Sequence, residues 1–272
     1  MLNSRLIIWD FDGVLVDSLK ECIIVLKIGI ELLKNQEDLK DKKIFIENFT
    51  NHFDVNLFNK MKTLRPFIIN GQDYIWQYLN LDKFSKSFNS YSDYKKVFDE
   101  IFDFKKDKIY EETFYKARKI LQNTILNDYY KLFIPYQGAI NALRDSLAIN
   151  TNYICSARDV QAIKYIIKLY NIKLSEKFIY AKGKNDDPIN RFSKDKQINL
   201  ILKKENQFNN NFTLIEDQLT LPLQLLKKFS KMKIIYAKYG YGIDEECPKL
   251  KSKSILSIEK DEEIFNLVLN KK

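Results

Sequence analysis

Asp10 and Asp12 stand two positions apart at the end of an apolar run, Arg5 to Asp10 (RLIIWD), and Gly13 follows where a tight turn would be expected. A carboxylate is a weak nucleophile unless it is fixed in line with a leaving group and beside a metal. A second carboxylic acid is then needed to protonate the leaving oxygen and later to activate water. Read alone, such a pair is also a strand-ending turn with two solvated aspartates. Three further places carry polar residues after apolar runs: Ser156 after Tyr153-Ile154-Cys155, a lysine in Ser193-Lys194-Asp195-Lys196, and Glu216-Asp217 after Phe212-Thr213-Leu214-Ile215. Imidazole chemistry is nearly excluded, because the chain has 1 histidine, His52, in a Phe/Asn-rich stretch without a nucleophile motif. Cys22, Cys155 and Cys247 show no metal spacing and are odd in number, which fits reduced thiols in a cytosol.

The elements around these residues predict an α/β fold. Arg5–Asp10, Thr151–Cys155, Phe178–Tyr180, Phe212–Ile215 and Ile234–Ala237 read as short buried strands. Helical stretches at Ala139–Leu147, Asp159 to about Tyr170, Asp195–Lys204, Leu221–Lys228 and Asp261–Leu269 alternate with them, and Asp159 is placed to cap the second. Gly183–Pro188 reads as loop. The alternation implies a doubly wound parallel sheet with helices on both faces, and ligands of such sheets bind at the carboxyl ends of the strands. Asp10/Asp12, Ser156 and Glu216/Asp217 would meet there. From Leu19 to about Leu132 apolar residues recur at helical spacing, as in Cys22, Val25, Leu26 and Gly29, Ile30, Leu33, and again through Tyr74–Leu81, Val97–Phe104 and Phe114–Leu126. The expected domains are an α/β core of 1–18 and 133–272 and an α-helical insertion of 19–132.

The string Asp10-Phe11-Asp12-Gly13-Val14-Leu15-Val16-Asp17-Ser18 resembles the first motif of the haloacid dehalogenase-like phosphatases, DxDGVLxDS, at every defined position. Tyr153-Ile154-Cys155-Ser156-Ala157-Arg158 resembles their second motif. Lys194, with the apolar Ile198 four positions on, resembles the third, and Lys196 competes with it. Phe212-Thr213-Leu214-Ile215-Glu216-Asp217-Gln218 resembles the fourth. Pro135-Tyr136-Gln137-Gly138-Ala139 and Tyr236-Ala237-Lys238-Tyr239-Gly240-Tyr241-Gly242 are similar to the family's re-entry and fifth-strand segments. The resemblance covers the core and implies its fold, a Rossmann-like sheet.

The same resemblance implies roles. Asp10 would attack phosphorus to form an aspartyl phosphate, and Asp12 would be the general acid and base. The Ser156 hydroxyl and nearby backbone at Ala157 and Arg158 would bind phosphoryl oxygens, aided by the following helix N-terminus. Lys194 would neutralise the crowded charges. Asp217 would hold Mg²⁺ together with the Asp10 carboxylate and the Asp12 backbone carbonyl. Many members carry glycine where this chain has Glu216, and a further Asp where it has Leu219, Thr220 and Leu221; Glu216 would then support the ligands from behind. The insertion lies where the family places a C1 cap, as in phosphoglycolate phosphatase-like members, a lid over the active site that sets specificity. Within it Arg65 would contact an anionic substrate and Gly71 would form a close loop over the site; the other reading is an interhelical loop with a surface arginine.

The implied activity is Mg²⁺-dependent hydrolysis of a small phosphorylated metabolite. A phosphomutase using the same aspartyl phosphate and a non-catalytic binding module are the alternatives; Asp12 argues against a dehalogenase. A net charge of +9 is spread over scattered lysines, so it reads as a solvated surface, and no aromatic residues interleave with a basic cluster as a nucleic-acid binder would require. No apolar run approaches the roughly 20 residues of a membrane span, and the N-terminus lacks the segments of a signal peptide. The expectation is a cytoplasmic monomer or homodimer.

Overall fold

Four successive apolar residues, Leu6-Ile7-Ile8-Trp9, form β1, and all four are buried because parallel neighbours and helices cover the strand on every side. The chain continues through β2 (Val16–Asp17), β3 (Ile134–Pro135), β4 (Thr151–Asp159), β5 (Ile179–Lys182), β6 (Thr213–Glu216), β7 (Lys233–Ala237) and β8 (Ile255–Ile258). Six of these make one sheet in the order β5-β4-β1-β6-β7-β8, every pair parallel. The computed structural model describes residues 4–34, 46, 54–84, 88, 90–125, 128–182, 193–206, 211–243 and 254–269. His52, Cys247 and the expected loop Gly183–Pro188 lie outside them. The chain divides into two compact units, Met1–Asp17 with Ile134–Lys272, and Ser18–Phe133.

Helices cover both faces of the sheet. On one face Leu6, Ile8, Tyr153, Cys155, Leu214, Ile234 and Tyr236 alternate inward and pack with Ile198, Ile201 and Leu202 of the helix Lys194–Lys204 and Leu225 of the helix Thr220–Lys228. On the other face a buried polar contact fixes the helix Gln137–Ser146. Asn152 Oδ1 accepts from Trp9 Nε1 and Ser146 Oγ, both at 2.9 Å. The doubly wound parallel sheet read from the alternation is therefore present. Most strands and helices lie within a residue or two of their expected ends.

Two differences have physical causes. β4 runs to Asp159 rather than stopping before Ser156, and its register against β5 slips between Ser156 and Asp159, a bulge that lets the strand continue past its last regular rung. The expected helical stretch Val97–Phe104 is broken: one helix, Tyr91–Ile101, ends before Phe102, and Asp103 caps the next, Phe104–Thr124, by accepting from the amides of Lys105 and Lys106. β8 and the two-residue pairing of β2 with β3 were not expected.

The second unit is helical among its described residues, with helices Leu19–Lys34, Val55–Leu64, Gly71–Leu79, Tyr91–Ile101 and Phe104–Thr124 and short 3₁₀ turns at Arg65–Phe67 and Tyr129–Leu132. Its interior holds a charged group. The Glu21 carboxylate is fully buried and takes Arg118 Nε at 2.8 Å, Arg118 Nη2 at 3.1 Å and the Tyr129 hydroxyl at 2.8 Å. Among the described residues no helix is long and apolar enough to cross a membrane.

Candidate active site

The turn after β1 is built by backbone. The Asp10 amide donates to Ile215 O at 2.9 Å, which seats the residue between the ends of β1 and β6. Gly13 then takes φ +83°, a conformation side chains disfavour, and its amide closes on Val16 O at 2.8 Å. Two tyrosines of the loop after β7 hold this turn: Tyr239 Oη donates to Val14 O at 2.9 Å and Tyr241 Oη to Asp17 Oδ1 at 2.6 Å. The glycines interleaved with them are there for space. A Cβ on Gly13 would run into Asp217 Oδ2, and one on Gly240 into Gly13 O. The Asp217 carboxylate is fixed in that crevice by the Tyr241 amide at 3.1 Å.

Lys194 opens its helix and reaches back to the strand ends. Its Nζ lies 3.0 Å from Asp10 Oδ2 and 2.6 Å from Glu216 Oε2. Burial alone would lower its pKa, but the Asp10 and Glu216 carboxylates outweigh burial and raise it, so the ammonium stays charged. Burial, and next to it the Asp10 charge, push Glu216 well above the carboxylate range. Lys196 is exposed, whereas Ile198 is buried. Of the two candidate lysines, the structure brings Lys194 to Asp10.

Asp10, Glu216 and Asp217 are all buried, and each offers a carboxylate oxygen within 4.8 Å of the others. Asp10 Oδ1 is buried with no hydrogen-bond partner among the described residues. An oxygen-only donor set with one unsatisfied carboxylate oxygen fits a hard divalent cation. Glu216, expected behind the ligands, has a carboxylate oxygen in this cluster, and its Oε2 is paired with Lys194.

Ser156, Ala157 and Arg158 lie in the bulged end of β4. Ser156 is buried, and its Oγ accepts the Arg158 amide at 3.3 Å. The expected help from the following helix N-terminus is changed: Asp159 caps that helix by accepting from Ala162 N at 2.9 Å, so a carboxylate of the chain already sits there. The Arg158 side chain is also committed. Its Nε lies 2.8 and 2.9 Å from the two carboxylate oxygens of Asp12. Reading residues one at a time missed this pair, because no local pattern links positions so far apart.

Arg65 belongs to the helical unit. It is buried, not a surface arginine, and its Nη1 donates to Ile68 O at 3.2 Å within its own 3₁₀ turn. Gly71 is not in a loop: it is the first residue of a helix, and a Cβ there would strike the Phe114 ring. Asp10, Asp12, Lys194, Glu216, Asp217, Ser156 and Arg158 all belong to the core unit.

No family model and no curated relative matches the chain. Solved structures do. The chain is similar to a haloacid dehalogenase-like family hydrolase from Streptococcus pneumoniae, at 13% identity and a TM-score of 0.53, with 98% of this chain and 99% of that chain covered. A predicted phosphatase from Clostridium acetobutylicum shares 15% identity and a TM-score of 0.57 over 98% and 99% of the two chains. A predicted phosphoglycolate phosphatase from Haemophilus somnus shares 12% identity and a TM-score of 0.56 over the same proportions, 98% and 99%. At such identities the likeness is one of fold, and it runs through the insertion as well as the sheet. Six parallel strands with acidic residues at the ends of β1 and β6, and a helical unit inserted between β2 and β3, give this chain the fold of the haloacid dehalogenase-like hydrolases.

Proposed function

We propose that the chain is a phosphatase that hydrolyses a small phosphorylated metabolite through an aspartyl phosphate on Asp10. The observation that carries this reading is the pairing of Asp10 with Lys194 at 3.0 Å, while its other oxygen is buried and unsatisfied. The carboxylate is fixed by the ammonium while its second oxygen makes no hydrogen bond among the described residues, an arrangement that suits an in-line nucleophile.

In the first step an Asp10 oxygen bonds to phosphorus as the ester P–O bond breaks. The electron pair leaves with the ester oxygen, which takes a proton from the Asp12 carboxyl. In the second, water bonds to the same phosphorus, Asp12 accepts its proton, and the bond to Asp10 breaks. One water is consumed, and an alcohol and inorganic phosphate are released. Lys194 holds a fixed positive charge beside the developing negative charge. The Ser156 hydroxyl and the Ala157 amide would supply donors to phosphoryl oxygens. Asp10, Asp217, Glu216 and the Asp12 carbonyl would hold Mg²⁺, which when bound neutralises phosphoryl charge. The buried thiols of Cys22 and Cys155 form no disulfide with each other, which suits a reducing, cytoplasmic setting.

The test is chemical trapping. Phosphorylated metabolites are screened with Mg²⁺, turnover is quenched, and borohydride reduces any acyl phosphate. Homoserine at position 10 in the digested wild type, and no turnover by a folded Asp10→Asn variant, is the expected result. Turnover by Asp10→Asn close to that of the wild type would refute the reading.

A further inference from the structure

The bulge at the end of β4 is the starting point. Ser156 pairs with Ala181 and Asp159 with Lys182, so Ala157 and Arg158 are carried off the ladder where the neighbouring strand advances a single step. Bulges beside sites re-aim side chains, and this one sends Arg158 into the interior, where its side chain is 1% exposed. It meets Asp12, whose backbone is already fixed by its bridge to Val16 and by the turn at Gly13.

We propose that Arg158 is a positioning residue that holds the Asp12 carboxylate in the one orientation from which it can transfer a proton. This rests on the reading of Asp12 as acid and base given above. The contact geometry leaves Asp12 able to act. A single Nε is shared by both oxygens, at 2.8 and 2.9 Å, so it uses one edge of the carboxylate. Each carboxylate oxygen has two lone-pair directions, so a contact shared along one edge does not by itself exhaust either oxygen. The guanidinium cannot be deprotonated and its planar head is rigid, so the clamp persists through both steps. Without it the aspartate has three side-chain wells to visit, and a proton donor must lie within hydrogen-bond reach of the leaving oxygen to be useful. An arginine that only bound phosphoryl oxygens would have no reason to spend both short Nε contacts on Asp12.

The experiment uses the effect of the leaving group. An alkyl phosphate expels a poor leaving group and depends on the acid; p-nitrophenyl phosphate expels a good one and depends on it little. For Arg158→Gln in the full chain with Mg²⁺, kcat on an alkyl phosphate should fall by about 10²-fold or more, the scale of lost acid–base catalysis. On p-nitrophenyl phosphate the same variant should lose less than about tenfold, since that term is largely spared. In an Asp12→Asn background, Arg158→Gln should add less than about threefold on the alkyl ester, because both changes remove one function. Arg158→Lys keeps the charge without the fork and should show the same split with a smaller loss. It decides the matter if circular dichroism shows that the Gln variant does not fold. Equal losses on both esters, with weaker inhibition by inorganic phosphate, would make Arg158 a phosphoryl ligand and overturn the inference. Losses that multiply with Asp12→Asn would overturn it too. A wild type inactive on both esters would instead sink the functional reading, and this inference with it.

Discussion

Replacing Lys194 by Met removes one charge and keeps the stem. The ammonium now lies 3.0 Å from Asp10 and 2.6 Å from Glu216, and the third carboxylate, Asp217, has an oxygen within 4.8 Å of theirs. At that spacing and an effective dielectric of about 20, the Asp10 and Asp217 carboxylates repel by roughly 3 kcal/mol. The lysine offsets that repulsion; a buried charge left without its partner costs about 3–5 kcal/mol. Melting of the metal-free core should then move down by on the order of 10 °C. A divalent cation supplies the missing charge, so magnesium should raise the variant's melting temperature by more than it raises the wild type's. Chemistry should not be rescued with stability: loss of one fixed electrostatic group costs about 10²–10³ in kcat. Scanning calorimetry with and without magnesium, beside steady-state kinetics, reads both. Lys196→Met is the control, and its exposed side chain should shift stability by no more than about 0.5 kcal/mol. A Lys194→Met protein with wild-type turnover, or one that magnesium stabilises no more than the wild type, would refute the reasoning.

Exhaustive chelation should abolish turnover and lower the melting temperature of the wild type, and restored magnesium should recover both; full activity in rigorously metal-free buffer would count against the carboxylate cluster as a cation site. In the helical unit, Arg118→Met strands the Glu21 carboxylate, which is 0% exposed, and should cost about 3–5 kcal/mol. Adding Glu21→Leu should recover most of that loss in denaturant titrations, and a double variant as unstable as the single would show that packing, not charge, sets the cost.

The candidate site was legible in the sequence where its parts are local. Asp10, Asp12 and Gly13 sit in one turn, and that turn has to be written consecutively. Glu216 and Asp217 close a strand whose apolar run is itself the signal. Sequence favoured Lys194 over Lys196 only through the apolar Ile198 four positions on, because both stand in the same short segment and the helix start decides which one turns inward. The Arg158–Asp12 pair was illegible for another reason: a bulge leaves no period behind, so nothing in Cys155-Ser156-Ala157-Arg158 shows that the ladder slips there. The break at Asp103 was hidden because Phe102 and Phe104 keep the apolar period going across a residue whose carboxylate ends it. β8 was lost because its four residues, Ile255-Leu256-Ser257-Ile258, are half exposed and make a weak strand by themselves.

The short pairing of β2 with β3 carries a consequence for how such a chain can change. The core is left after Asp17 and re-entered at Ile134, and those two residues are partners on one antiparallel rung. Antiparallel partners stand about 5 Å apart, a gap that a two-residue hairpin turn spans. Everything between them is therefore spliced into a closed circuit. The entropy of closing an insertion grows only with the logarithm of its length, so segments can be added, trimmed or swapped at this rung with little cost to the sheet. The six-strand register and the acids at its strand ends can be inherited unchanged while the inserted helices diverge freely.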